Sequence, residues 1–126
     1  MKVYDYKVGG GIKARNMAKD AIRSGLFVKK WKMIDMLLRC VEGVAFRRYD
    51  KRSYWLLALV YDDDEPIGVC CIEKDVMAIY VRSRYRRKGI GKSLVDLLDG
   101  CYGVRKNVVV GEGIKGSMSF FKQVNV

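Results

Sequence analysis

Val76-Met77-Ala78-Ile79-Tyr80-Val81-Arg82-Ser83-Arg84-Tyr85-Arg86-Arg87-Lys88-Gly89-Ile90-Gly91-Lys92-Ser93-Leu94 decides how the rest of the sequence is read. Val76 to Val81 is an apolar run of strand length, bounded by Lys74-Asp75 before and by a basic turn after. Beyond the turn, Ile90, Leu94, Leu97, Leu98 and Cys101 recur at helical spacing, and Gly100 and Gly103 punctuate the end. The order is therefore strand, glycine turn, helix. The first N–H groups of a helix lack intrahelical partners and sit at the positive end of its dipole, so an anion fits there. Gly89 and Gly91 remove side chains that would block close approach. Backbone N–H groups from Arg87 to Lys92 are placed to bond a pyrophosphate, with Arg86, Arg87 and Lys88 adding charge. Taken alone, the pattern also suits a basic surface loop capping an amphipathic helix.

Upstream, Trp55 to Tyr61 and Ile67 to Ile72 are apolar runs separated by the turn cluster Asp62 to Pro66, which predicts an antiparallel hairpin with both strands buried. Residues 2–8 alternate as a first strand and run into Gly9-Gly10-Gly11, read as a flexible loop. A helix follows from Ile12 to Ser24, with Gly25 as its stop signal. A second spans Lys29 to Val41, where Trp31, Ile34, Leu37, Leu38 and Val41 form the apolar face. Downstream, Val108 to Val110 reads as a short buried strand, and Ser117 to Val124 as an amphipathic segment.

Tyr80 to Leu94 resembles the acetyl-coenzyme A signature of the GNAT superfamily of N-acyltransferases, whose core is Q/R-x-x-G-x-G/A. Arg86 occupies the Q/R position and Gly89 and Gly91 the glycine positions, while Ser83 stands where many members carry proline. The resemblance is sharp over residues 55–100 and topological over most of the remainder. It implies an α/β protein of GNAT (acyl-CoA N-acyltransferase) fold, one domain over residues 1–126, with a mixed central sheet flanked by helices and lacking the last strands. It implies acetyl-CoA as co-substrate and an amine as acceptor, with no metal. The implied cofactor contacts are the backbone of Ile79, Tyr80 and Val81 toward pantetheine, and Arg86, Arg87, Lys88, Gly89, Ile90, Gly91 and Lys92 around the pyrophosphate. Ser117 and Phe120 join them from the C-terminal segment, and a main-chain N–H serves the thioester carbonyl as oxyanion donor.

The match is poorer at the C-terminus. Ser117 to Val126 resembles the family segment A-x-x-F-Y-E-K-L-G-F, but Phe121 stands where tyrosine is common. That tyrosine often protonates the departing thiolate, which a phenyl ring cannot do. Ser117 is a nearby hydroxyl and a candidate for that step, although a serine there also suits a hydrogen-bond donor or helix cap. Glu73, Asp75 and Glu112 are candidate general bases by their places beside the cofactor strand and the strand after it; each also suits a solvated surface charge. The chain stops where the resembled family continues into two further strands. An open acceptor side is therefore expected, fit for a protein side chain or an RNA end, or for a second copy in a homodimer.

Composition bounds these readings. Histidine is absent, which excludes His-based triads, a His general base and His-containing zinc sites. Lys and Arg number 25 against 14 Asp and Glu, a net charge of +11 that favours acidic protein, RNA or a nucleotide cofactor. Lys29, Lys30, Lys32, Arg47, Arg48, Lys51 and Arg52 are able to orient such an acceptor, or simply form a solvated face. No apolar run reaches the 18 or so residues of a membrane span, and a cytoplasmic protein is expected. Cys40, Cys70, Cys71 and Cys101 show no C-x-x-C spacing and read as buried free thiols, with Cys70 and Cys71 on opposite faces of a strand. The competing reading is a catalytically degenerate GNAT-fold protein acting through protein or nucleic-acid interaction. The chemistry is separable: Phe121→Tyr is expected to raise acetyl transfer about a hundredfold if thiolate protonation limits the wild type. An unchanged rate in a variant that still binds acetyl-CoA would assign the proton to another donor.

Overall fold

β2 (Trp55–Asp62) and β3 (Glu65–Glu73) form the predicted hairpin, turning through Asp63, whose φ of 54° is the left-handed conformation that Asp tolerates in turns. The computed structural model describes residues 2–26, 31–42, 55–73, 76–103 and 110–112. Within the hairpin the register steps between Val60 and Tyr61, so that Val60 faces Gly68 while Tyr61 faces Pro66. Ile67 is thus the extra residue of a bulge, a setting in which Pro66, lacking an N–H, does not break the ladder.

The sheet order is β1-β2-β3-β4-β5. β1 (Asp5–Gly10), β2, β3 and β4 (Val76–Val81) pair antiparallel in succession, and β5 (Val110–Glu112) pairs parallel to β4. α1 (Gly11–Arg23) and α2 (Trp31–Glu42) connect β1 to β2, and α3 (Ile90–Tyr102) lies between β4 and β5. Two of the three glycine stops act as expected: Gly25 at φ 64° ends α1, and Gly103 at φ 64° ends α3, its N–H donating to the Asp99 carbonyl at 2.7 Å, whereas Gly100 lies within α3.

Two expectations are corrected. Gly9 and Gly10 are not a flexible loop but the end of β1, opposite Leu57 and Leu56, and Gly11 at φ 58° opens α1 directly. Cross-strand pairing overrides local freedom here, and Gly9 makes room for the helix: a Cβ at Gly9 would fall 2.7 Å from Lys13 Cδ. Cys101 is exposed rather than buried, because the buried stripe of α3 is Ile90, Leu94, Val95 and Leu98 and ends a turn earlier. Of the predicted strand Val108 to Val110, Val110 begins β5, residues 108 and 109 lie outside the described residues, and the strand continues to Glu112.

Two apolar layers cover the sheet. On one face Ala14, Met17, Ala18, Leu37 and Cys40 pack on Leu57, Leu59, Val69, Cys71 and Ala78. On the other, Ile90, Leu94, Val95 and Leu98 pack on Leu56, Ala58, Cys70, Ile72, Met77 and Ile79. Period-two alternation puts Cys70 and Cys71 into different layers, as their adjacency requires. α3 comes close to the sheet where β3 has no side chain. A Cβ at Gly68 would lie 2.7 Å from Val60 Cγ1, 3.4 Å from Val81 Cγ2 and 3.5 Å from Leu94 Cδ1. Gly68→Ala is expected to cost about 1–3 kcal/mol by overpacking. Gly100→Ala, where an added Cβ meets open space within α3, is expected to gain about 0.5–1 kcal/mol. Denaturant unfolding measures both; equal stability of Gly68→Ala and wild type would refute the close contact.

Candidate cofactor site

β4 has two unlike halves. Val76, Met77 and Ala78 stand between two strands, facing Glu73, Ile72 and Cys71 on β3 and Val110, Gly111 and Glu112 on β5. Ile79, Tyr80 and Val81 continue to pair with Cys70, Val69 and Gly68 beyond the last described rung with β5, and they lead straight into the basic turn. The Ile79 side chain is buried in the α3 layer, and Tyr80 is half-buried against the α1–α2 layer, so core packing holds this half of the strand.

Arg82 fixes where the turn begins. Its N–H donates to the Ile67 carbonyl at 2.8 Å, and its guanidinium to the carbonyls of Pro66 at 3.0 Å and Ser24 at 3.2 Å, with the Glu65 carboxylate 3.6 Å away. One side chain thus joins β4, the β2–β3 turn and the end of α1. A 3-10 turn follows over Ser83–Tyr85, where Tyr85 N–H donates to the Arg82 carbonyl at 2.9 Å and Arg86 N–H to the Ser83 carbonyl at 3.2 Å. Lys88 then lies between two left-handed residues, Arg87 at φ 63° and Gly89 at φ 78°. Left-handed backbone is uncommon for arginine, and it turns the chain sharply into α3.

Gly89 is the N-cap of α3, and the Ser93 N–H donates to its carbonyl at 3.0 Å. The N–H groups of Ile90, Gly91 and Lys92 precede that first helical bond and are the helix's orphan donors. No acid stands in the first turn and no side chain among the described residues caps it, so no described group answers the positive end of the helix dipole there. Ile90 is buried and anchors the turn, while Arg86, Arg87, Lys88 and Lys92 are exposed. Lys92 pairs with Asp96 at 2.9 Å. Arg86 folds back: its Nε donates to the Val81 carbonyl at 2.8 Å and its guanidinium lies 5.4 Å from the Tyr80 ring centroid. The structure thus brings Ile79 to Val81 and Arg86 to Lys92 into one continuous stretch, with the Val81 carbonyl already engaged.

The candidate bases separate. Glu73 Oε2 accepts from Arg39 Nε at 3.1 Å and a terminal guanidinium nitrogen at 2.8 Å, so its carboxylate is tied to α2. Glu112 stands opposite Ala78 on the last described rung of β4 and β5. Asp75, Ser117, Phe120 and Phe121 lie outside the described residues. Burial pushes the Cys40 thiol up to about 11, and burial likewise raises Cys70 and Cys71 far above the ordinary thiol range.

The sequence reading missed Tyr85. This ring is buried, with 7% exposure, and its hydroxyl donates to Asp62 Oδ2 at 2.7 Å. Asp62 Oδ1 is 2.6 Å from Lys2 Nζ. The only signal in the sequence was an aromatic residue amid basic ones. A groove of about 670 Å³ opens beside this cluster, lined by Ser24, Asp62, Asp63, Asp64, Glu65, Pro66, Arg82, Arg84 and Tyr85. Its four carboxylates make it unsuited to a pyrophosphate.

The sequence model of the Acetyltransferase (GNAT) family matches residues 21–106. No curated protein matches the sequence. Solved structures that share the fold include ribosomal-protein-alanine N-acetyltransferase from Brucella melitensis biovar Abortus 2308, at 15% identity and TM-score 0.55 over 99% of this chain and 92% of that one. A predicted acetyltransferase with acetyl-CoA from Clostridium acetobutylicum is 12% identical with TM-score 0.56 over 98% and 90%. AAC(6')-Iy in complex with the bisubstrate analogue CoA-S-monomethyl-acetylneamine is 13% identical with TM-score 0.56 over 98% and 90%. No helix among the described residues is long and apolar enough to cross a membrane.

The hydrogen bonds from Lys2 and then Tyr85 hold the Asp62 carboxyl below the usual carboxylate range. A carboxyl depressed in the folded state stabilises above its unfolded pKa, and that contribution is lost as pH falls through the folded value. Acidification from about pH 5 to 3, across the ordinary Asp range, is therefore expected to lower the melting temperature of the wild type more than that of Asp62→Asn. Parallel slopes in the two proteins would show that the carboxylate contributes nothing.

Proposed function

This chain belongs to the Acetyltransferase (GNAT) family, and we propose that it transfers the acetyl group of acetyl-CoA to an amine. The observation that carries the proposal is the continuity of the Ile79–Val81 half of β4, beyond its last described rung with β5, with the orphan N–H groups at the start of α3. Acetyl-CoA supplies an activated acyl thioester. The N–H groups of Ile90, Gly91 and Lys92 bind its pyrophosphate, with Arg87 and Lys88 adding charge. The Ile79–Val81 edge pairs with the pantetheine amides as a strand would, and a main-chain N–H on that edge stabilises the oxyanion. Ser117 and Phe120 add contacts from the C-terminal segment.

A neutral amine attacks the thioester carbonyl; the new C–N bond forms, the C–S bond breaks and the thiolate leaves to take up a proton. No covalent enzyme intermediate is required, in keeping with thiols whose pKa values are raised by burial. Glu112 is the favoured base, by its place opposite Ala78 on the last described rung of β4 and β5. Glu73 is the weaker candidate because Arg39 already holds its carboxylate. An amine on a protein or an RNA-linked group suits the net charge of +11. Among the similar folds, one is named for acting on ribosomal-protein alanine and another for aminoglycosides.

The alternative, a binding protein without turnover, is favoured by Phe121 at the position of the family tyrosine. Calorimetric titration with acetyl-CoA and release of free CoA in the presence of amine peptides address both readings. Gly89→Val, placed at φ 78° where a β-branched residue is strained, is expected to weaken acetyl-CoA binding at least about tenfold. Binding with no CoA release selects the alternative. Full-strength binding by a folded Gly89→Val protein would remove the turn from the site.

A further inference from the structure

Six basic residues fall between positions 82 and 92 without an acid among them, and the structure holds five of them in two ways. At the ends, acids answer them: Glu65 lies 3.6 Å from Arg82, and Asp96 is 2.9 Å from Lys92. In the middle, Arg84 lines the acidic groove beside Asp62 to Glu65, while the partners of Arg86 and Lys88 among the described residues are uncharged. Arg86 is held by the Val81 carbonyl and the Tyr80 ring. Arg84 and Lys88 share one ring, their charged atoms lying 5.2 Å and 5.7 Å from the Tyr85 centroid. An acid would fix these cations and also cancel them; a carbonyl or an aromatic face fixes them and leaves the charge intact.

Tyr85 is itself immobilised from several sides. Its hydroxyl donates to Asp62 at 2.7 Å and receives a longer contact of 3.3 Å from Arg84. Its N–H donates to the Arg82 carbonyl, and the Tyr4 ring meets it edge-on with centroids 6.1 Å apart at 81°. Among the described residues the acid in contact with the Tyr85 hydroxyl is Asp62, which is also paired with Lys2, 2.6 Å away.

We propose that Tyr85 is the positioning residue of the basic turn: a buried aromatic platform, anchored to β2 through Asp62 and flanked on its groove side by Arg84, that holds Lys88 in place with its charge uncancelled and so gives the site its preference for ligands bearing phosphate. The proposal rests on the reading of this turn as the pyrophosphate site. Tyr85 acts through Lys88 and touches no reacting atom.

The test compares CoA with pantetheine, which lacks the phosphates, by calorimetry on the full chain. Tyr85→Leu removes the platform and is expected to weaken CoA about two- to fivefold, the loss of one exposed cation–π contact, with pantetheine unchanged. Tyr85→Phe keeps the ring and loses the bond to Asp62; it should melt earlier yet bind CoA within about 1.5-fold of wild type, less than the smallest loss expected of Tyr85→Leu. Tyr85→pentafluorophenylalanine keeps the shape and cancels the negative ring face, so it should lose CoA affinity as Tyr85→Leu does, and it serves if Tyr85→Leu does not fold. Equal CoA affinity in the phenylalanine and pentafluorophenylalanine proteins overturns the proposal, as does a parallel loss of CoA and pantetheine. CoA binding that Gly89→Val abolishes but the ring substitutions leave untouched overturns the proposal alone. CoA binding that Gly89→Val leaves untouched fails the turn reading, and the proposal with it.

Discussion

Much of this molecule depends on a missing side chain. At Gly68 the central strand β3 offers no Cβ, and Val60, Val81 and Leu94 close over the gap. The contact joins β2, the end of β4 and the first turns of α3, which are the elements that frame the basic turn. Leu94 sits one helical turn beyond Ile90, so the depth to which α3 settles on the sheet sets how far its first N–H groups stand from the Ile79–Val81 half of β4. The packed core and the candidate site are held by the same few atoms. Interiors at close-packed density transmit such a constraint with little slack.

The charge of the turn is organised by the same economy of contacts. A chain of net charge +11 that gathers cations at one turn pays in self-repulsion. Neutralising acids would remove the repulsion and the attraction for anions together. In the middle of the turn the observed partners, two rings and a carbonyl, keep the side chains in place and leave the field available, while Glu65 and Asp96 answer only its two ends.

What could be read in advance was whatever the chain announces locally. The change from strand to helical period on either side of Gly89, the turn cluster at Asp62 to Pro66 and the stops at Gly25 and Gly103 each act within a few residues. What escaped depends on partners distant in sequence. Glu73 looked free because Arg39 is 34 residues away, and Tyr85 looked like surface because Asp62 is 23 residues away. Gly9 and Gly10 carried the composition of a loop, but pairing with Leu57 and Leu56 made them strand. Arg87 at φ 63° had no signal at all, since arginine rarely adopts that conformation. Within the site, the turn was legible and the side chains that discipline it were not.

A protein that holds a thioester must not offer a rival acceptor for it. Thiolates capture acyl groups from thioesters readily, and a neutral thiol does so poorly. Cys70 and Cys71 lie on β3, beside the strand proposed to carry the pantetheine, and Cys40 packs in the same layer as Cys71. All three are buried, and burial keeps all three protonated near neutral pH. The exposed Cys101 stands in the last turn of α3, about 17 Å along the helix axis from Ile90. The central strand thus carries sulfur as packing material only, and acyl scrambling onto the protein itself is suppressed by the same dry interior that gives the sheet its stability.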